Sequence, residues 1–453
     1  MSNSIHSNDR KFNYKNLIEL EKDIQEMQFD IKLSEDLSLY RQEVKIGTHV
    51  IPNAIATHPM EGGDADEKGS PTDMTFRKYK KIAKGGAGLI WVEAVSICKD
   101  GRSNDKQLWI TEDNWRDFKA LNDIIKKSAK EEFGQDYHPM TIIQINHAGR
   151  YCKVKGKPSP IIATHKKNLD ERLGIDESYP VVTDEYLDSL KEKYVQAARL
   201  SKKAGFDGVD IKACHGYLLS ELLSAYEREG KYGGSFENRT RLMMSIVEAI
   251  KEDAACEGLV ISSRLNIYDG LPYPQGWGVS EGKGFEVDLT EPKKLIKSLT
   301  DKGVQLISLT MGNPYAFPHI NKPFDLGNYI PPENALHSCN RLISEVGNMQ
   351  KSFPEITFVG LGYSWFRHLA PYVGAGSLKH GLCKVVGFGR ESIAYPDFAR
   401  DILENQEMKR TGVCISCSKC SEMKSKIGTC GCVIRDAEVY LPIYKEMKAS
   451  EVK

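Results

Sequence analysis

Between about residue 50 and residue 405, short apolar runs rich in β-branched residues alternate with longer segments whose apolar positions recur at helical spacing. That alternation is the order of a βα repeat. The runs predict eight strands: Ala54–His58, Gly88–Ala94, Thr141–Asn146, Gly208–Lys212, Val260–Leu265, Gln305–Thr310, Thr357–Gly360 and Lys384–Gly387. Runs such as GLIWVEA and VQLISLT are apolar at almost every position, as parallel strands are when helices cover one face and a packed interior the other. Helical periodicity fills the intervals. Segment 183–205 has Thr183 to cap its start and Gly205 to stop it, and a further helix starts with Thr290 as cap and Pro292 in its first turn. Eight strands alternating with helices suit a closed (β/α)8 TIM barrel of the α/β class better than an open sheet.

Two stretches fall outside the repeat. Residues 1–45 are polar at first and then read NLIELEKDIQEMQFDI, which predicts a helix that caps the barrel bottom or meets another subunit. Residues 406–453 hold a cysteine-rich stretch and a helix-like LPIYKEMKAS. The expected organisation is an N-terminal extension (1–45), a barrel (46–405) and a C-terminal segment (406–453).

Charge narrows the function classes. The 62 basic residues balance the 62 acidic ones, so no global field favours nucleic acid or an anionic membrane surface. The N-terminus lacks the apolar core of a secretory signal, and no stretch approaches the roughly 20 apolar residues that span a bilayer. The expectation is a cytoplasmic protein without nucleic-acid or membrane partners; assembly into a homo-oligomer is left open. Eleven cysteines in such a chain point to thiol or metal chemistry rather than a disulfide framework. Six are scattered, whereas Cys414, Cys417, Cys420, Cys430 and Cys432 fall together. The spacing is C-x2-C-x2-C-x11-C if Cys432 is the last ligand, with Cys430 as its alternative. Four thiolates suit a [4Fe–4S] cluster and also zinc.

Chemistry in a (β/α)8 barrel sits at the C-terminal ends of the strands. In order, the predicted strands end in THPMEGG, EAVSICKDGR, QINHAGRY, KACHGYL, SRLNIYDG, TMGNPY, VGLGYS and VGFGR. This ordered series resembles the Old Yellow Enzyme superfamily (NADH:flavin oxidoreductases), particularly its branch near 2,4-dienoyl-CoA reductase and trimethylamine dehydrogenase, over roughly residues 45–435.

The resemblance implies an FMN-dependent oxidoreductase acting on CH–CH groups. Pro59, Met60 and Ala94 match positions along the flavin, Gln144 one that hydrogen-bonds its pyrimidine edge, and Arg264 one near N1 and the O2 carbonyl. Gly362, Tyr363 and Ser364, with Gly389 and Arg390, match the phosphate cradle. Lys212, His215 and Tyr217 match the substrate wall: His215 binds the electron-withdrawing group, Tyr217 delivers a proton, and Lys212 stands where His or Asn is commoner. Lys212 strengthens carbonyl polarisation, pairs with a substrate carboxylate, or serves structure only. The branch's C-x2-C-x3-C-x11-C tail implies a [4Fe–4S] cluster on Cys414, Cys417, Cys420 and Cys432, although one gap is a residue shorter here.

The leading expectation is therefore an ene-reductase of an enone-like or enoate-like alkene, with NAD(P)H or a redox partner protein as electron donor. The alternatives are an amine dehydrogenase of the trimethylamine dehydrogenase type, for which Trp91, Trp109 and Trp365 offer no obvious aromatic cage, and an electron-transfer subunit without small-molecule turnover. His147 is left between a structural role and the site wall.

Overall fold

The computed structural model describes residues 11–327 and 329–451; the first ten residues, part of the polar start of the N-terminal extension, lie outside them. Eight parallel strands close into one barrel in sequential order: β1 Ile55–Thr57, β2 Leu89–Ser96, β3 Met140–Asn146, β4 Gly208–Ile211, β5 Val260–Asn266, β6 Leu306–Thr310, β7 Thr357–Gly360 and β8 Val385–Phe388. Each coincides with a strand expected from the sequence to within two residues at either end. Closure is completed where β8 pairs with β1 through Val386–Ile55, Gly387–Ala56 and Phe388–Thr57. All eight strands are buried along their whole length, which is why they read as unbroken apolar runs.

Thr183 caps the helix Asp184–Lys203 by accepting the Tyr186 N–H. The helix Thr290–Asp301 differs from the expectation, because Thr290 lies inside it and Asp288 accepts the Thr290 N–H. An aspartate two residues upstream thus takes the capping role, accepting one of the free backbone donors of the first turn.

The barrel bottom is closed by a hairpin that the hydrophobic pattern did not reveal. Its strands, Val44–Ile46 and His49–Ile51, are antiparallel, and Ile46 and Ile51 pack on Leu89, Trp91, Met140, Val260 and Val385. The N-terminal helix Leu17–Glu26 does not take that place. Leu20 and Ile24 join the main core, and the chain around the helix lies against the later part of the barrel: Phe12 packs edge-on to Trp365, and Phe29 edge-on to His337.

The C-terminal segment is also docked on the barrel. Asp436 accepts two hydrogen bonds from Arg77 at 2.6 and 2.7 Å, and the Cys430 N–H donates to the Gly62 carbonyl at 2.7 Å. Its helix Lys419–Ile427 thereby comes to lie over the C-terminal rim of the barrel. No helix among the described residues is long and apolar enough to cross a membrane.

Candidate active site

A cavity of about 810 Å³ opens at the C-terminal ends of the strands. Its wall includes residues from β1 (Pro59, Met60, Glu61), β2 (Ala94), β3 (Gln144, Tyr151), β4 (Lys212, His215, Tyr217) and β5 (Arg264), and from the loops after β6, β7 and β8. Every catalytic residue expected from the sequence faces it, as do the expected cofactor residues except Tyr363. The Tyr363 ring is buried in the core with its hydroxyl 3.7 Å from Cys383 Sγ, so its side chain does not reach the cavity.

The turn after β4 is built on two consecutive left-handed residues, His215 (φ 65°) and Gly216 (φ 68°). A Cβ on Gly216 would come within 2.5 Å of Asn313 Nδ2, so glycine is required there. The non-glycine residue beside it carries strain of the kind that collects at functional sites. The turn delivers Lys212, His215 and Tyr217 to one wall. Lys212 Nζ lies 3.7 Å from the centre of the Tyr217 ring, a cation–π contact in a buried setting. The Tyr217 hydroxyl is 3.4 Å from that of Tyr315 and 3.5 Å from Glu61 Oε2. Burial, helped by Glu61 and Tyr315, holds the Tyr217 phenol well above its ordinary value, so it is protonated at neutral pH. Burial, with Arg264, Lys212 and Lys322 adding repulsion, holds His215 well below its ordinary value. The Asn321 amide donates to His215 Nε2 at 3.3 Å, so the neutral ring carries its proton on Nδ1.

At the other end of the wall, Asp210 accepts from Gln144 Nε2 at 2.6 Å and from the backbone N–H of Arg264. Burial pushes its carboxyl up to about 6 against the opposing effect of those hydrogen bonds. Arg264 is 9% exposed and its buried guanidinium Nε has no hydrogen-bond partner. A cation left unsatisfied in a cavity wall calls for an acceptor from a ligand. Near the ends of β7 and β8, Gly362 is left-handed (φ 96°), and Arg390 and Lys322 are further cations lining the cavity.

His147 does not face this cavity. Its Nδ1 accepts the Gly149 N–H at 3.0 Å, its Nε2 lies 2.8 Å from the Tyr186 hydroxyl, and that hydroxyl donates to Asp100 at 2.8 Å. Ligand atoms of Cys98, Asp100 and His147 lie within 4.8 Å of one another. With Nδ1 accepting, however, Nε2 bears the proton and has no lone pair for a metal. The group is a hydrogen-bonded brace. Burial draws His147 down to about 4, and burial with Arg264 draws His58 down to about 3. Folded values below the unfolded one, about 6.5, mean that their stabilising effect is present above that pH and is lost as pH falls toward the folded values. Resistance to denaturant accordingly drops between about pH 7 and pH 5, and His147→Gln flattens that slope; an unchanged slope would contradict the assignment.

The tail cysteines form a second centre. Cys414, Cys417, Cys420 and Cys432 line one small cavity together with Arg390 and Arg435. The Ser416 and Arg435 N–H groups point at Cys414 Sγ (3.5 Å) and Cys432 Sγ (3.3 Å). Cys430 faces the large cavity instead, and Cys420 and Arg390 border both. The residues that periodicity and motif matching missed are Glu61, Asn321, Lys322 and Lys424, all on the large cavity. Two of them arrive from the long β6 loop, which the sequence marks as shaping the substrate site without giving either residue a role, and one from the tail.

A closed parallel barrel with a deep cationic cavity at its C-terminal rim defines a TIM-barrel protein with a built site for a large anionic ligand. Residues 42–303 match the NADH:flavin oxidoreductase / NADH oxidase family, and the chain belongs to it, as its resemblance to the Old Yellow Enzyme superfamily implied. It is 28% identical over 436 residues to an NADH oxidase of Thermoanaerobacter brockii, covering 91% of this chain and 58% of that protein. It is 32% identical over 204 residues to an NADPH dehydrogenase of Clostridium acetobutylicum, covering 45% of this chain and 56% of that one. The chain thus spans somewhat over half the length of these relatives. Among solved structures, a 2-naphthoyl-CoA reductase complex superposes with TM-score 0.67 at 21% identity (88% of this chain, 57% of that one). Histamine dehydrogenase from Rhizobium sp. 4-9 gives 0.64 at 19% (88% and 52%).

Proposed function

We propose that this chain is an FMN-dependent ene-reductase that takes an enone-like or enoate-like small molecule as substrate and NAD(P)H or a redox protein as electron source. The observation that most supports this is the convergence of a neutral His215, a protonated Tyr217 and the unsatisfied Arg264 guanidinium on one cavity. Bound FMN supplies hydride transfer to the substrate's β-carbon. Arg264 and Gln144 hold its pyrimidine edge, where a fixed guanidinium offsets negative charge without reorganisation. Pro59, Met60 and Ala94 lie along the ring. Gly362, the Tyr363 backbone, Ser364, Gly389 and Arg390 receive the phosphate, joined by Lys322. On the substrate side, His215 donates from Nδ1 to the carbonyl, Lys212 adds positive charge beside it, and Tyr217 donates its proton to the α-carbon.

Loss of the Arg264 contact should be visible without turnover. Hydrogen bonds to charged groups contribute about 1.5–3 kcal/mol, so Arg264→Met weakens flavin affinity by on the order of tenfold to a hundredfold. The ratio of flavin to protein absorbance after gel filtration measures it. Full retention would remove Arg264 from the cofactor site.

The tail is proposed to carry a [4Fe–4S] cluster on Cys414, Cys417, Cys420 and Cys432, with a segment boundary near residue 405. Zinc bound at about 2.3 Å by four sulfurs needs them about 3.8 Å apart. Among the described residues, no three of these cysteines have sulfurs within 4.8 Å of one another. The guanidinium groups of Arg390 and Arg435 offset the thiolate charge. Amine dehydrogenation finds less support. Trp91, Trp109 and Trp365 stand off the cavity, and Lys212 already occupies a face of Tyr217, where it would repel a cationic substrate.

A further inference from the structure

Glu61 follows Pro59 and Met60 after β1, and its two carboxylate oxygens serve different neighbours. Oε1 accepts hydrogen bonds from Ser103 Oγ at 2.5 Å, Asn104 Nδ2 at 3.2 Å and Lys424 Nζ at 2.5 Å. Oε2 faces the Tyr217 hydroxyl at 3.5 Å. Exposure falls in the same order: the Lys424 side chain is 24% exposed, that of Glu61 11%, and Tyr217 2%. A route therefore runs from solvent through an ammonium and a carboxylate to the phenol. Burial raises the Glu61 carboxyl, but the ammonium groups of Lys424 and Lys212 outweigh it and leave the group below its usual value. At rest the three groups are ammonium, carboxylate and phenol. An ion pair that only docked the helix Lys419–Ile427 on the barrel would need one oxygen of Glu61; the second is turned to the proton donor.

We propose that Lys424 and Glu61 form a proton wire that restores Tyr217 after each turnover, so that the cysteine segment contributes to the acid–base chemistry of the barrel. This rests on the reading of Tyr217 as proton donor. When the Tyr217 O–H bond breaks and its proton forms a C–H bond on the substrate, a tyrosinate remains. A Lys424 N–H bond then breaks and its proton forms an O–H bond with Glu61 Oε1; the carboxyl group turns to bring that O–H to the tyrosinate, the O–H bond breaks, and the phenol re-forms. The neutral Lys424 amine takes a proton from water at its exposed end. One proton enters per product and no electrons move along the wire. Glu61 and Lys424 are positioning residues that act through Tyr217.

The test compares the holoenzyme with its Glu61→Gln, Lys424→Met and Lys426→Met variants, using cyclohexenone as the activated alkene and conditions in which reoxidation is rate-limiting. Glutamine keeps the size of Glu61 and an acceptor for the phenol but relays no proton. Tyr217 supplies the first proton itself, so rapid mixing shows an unchanged first turnover in Glu61→Gln and Lys424→Met. Later turnovers slow by on the order of tenfold or more, and added formate or imidazole buffer restores part of the loss in proportion to its concentration. Lys426→Met, on the same helix but ion-paired with Glu422 and Glu451 at the surface, behaves as wild type. Unchanged later turnovers in both wire variants would overturn the proposal. So would an equal loss in first and later turnovers that buffer does not restore, which is the mark of a purely structural ion pair. If the reduced wild-type enzyme is reoxidised neither by cyclohexenone nor by any other activated alkene, the reductase reading fails and the wire falls with it.

Discussion

Tyr217→Phe slows reoxidation of the reduced enzyme by an activated alkene by on the order of 10²- to 10⁴-fold, the range that a positioned general acid contributes. Reduction of the bound flavin by NAD(P)H keeps its wild-type rate, because that step needs no proton from this side chain. The two half-reactions, followed separately by anaerobic rapid mixing, distinguish loss of a proton donor from general damage. Damage is small in any case: the hydroxyl makes long contacts to Glu61 and Tyr315 besides a contact to Ser103, and the ring keeps its packing on Tyr151 and beside Lys212. The pH profile carries a second signature. With the phenol held well above 10, the donor form persists through the alkaline range, so no alkaline fall in the wild-type reoxidation rate arises from Tyr217. Equal rates for wild type and Tyr217→Phe in both half-reactions would remove Tyr217 from the chemistry.

The barrel was legible because its strands are buried on both sides and must be apolar throughout, a demand that leaves runs such as 89–95 and 305–310 unmistakable. Strand order fixed which residues share the C-terminal rim, and with it Lys212, His215, Tyr217 and Arg264. Features whose placement depends on long-range docking were not legible. The hairpin at 44–51 is too short for periodicity, and its plugging of the barrel depends on Ile46 and Ile51 meeting residues of seven barrel strands. Glu61 read as a loop acid after Pro59 and Met60. Its meaning appears only when Lys424, 363 positions away, returns to it. Tyr363 shows the converse, since a residue in the matching place can send its side chain into the core while its neighbours Gly362 and Ser364 line the cavity. Capping shifted from Thr290 to Asp288 for a local reason, as the aspartate two residues upstream accepts the Thr290 N–H and the helix starts earlier.

Cys420→Ala has the second large effect, because this residue alone among the four proposed ligands borders both cavities. The wild-type chain, purified without oxygen, carries about four iron and four inorganic sulfide per chain if the proposed cluster is present. Cys420→Ala loses most of both and with them the broad visible absorption that iron–sulfur centres add to the flavin spectrum. Cys430→Ala, by contrast, retains them, since Cys430 is turned toward the large cavity. Loss of metal in Cys430→Ala and retention in Cys432→Ala would exchange the two assignments, and one tightly bound zinc in place of iron would reject the cluster outright. The position of Cys420 also sets the functional consequence. A cluster held there would lie near Arg390 and Lys322, and electrons from a protein donor would then reach the barrel through this residue's neighbourhood. In Cys420→Ala, reduction by a protein donor fails while direct reduction by NAD(P)H, where the wild type shows it, survives. That separation divides an enzyme fed through its tail from one fed at its substrate cavity.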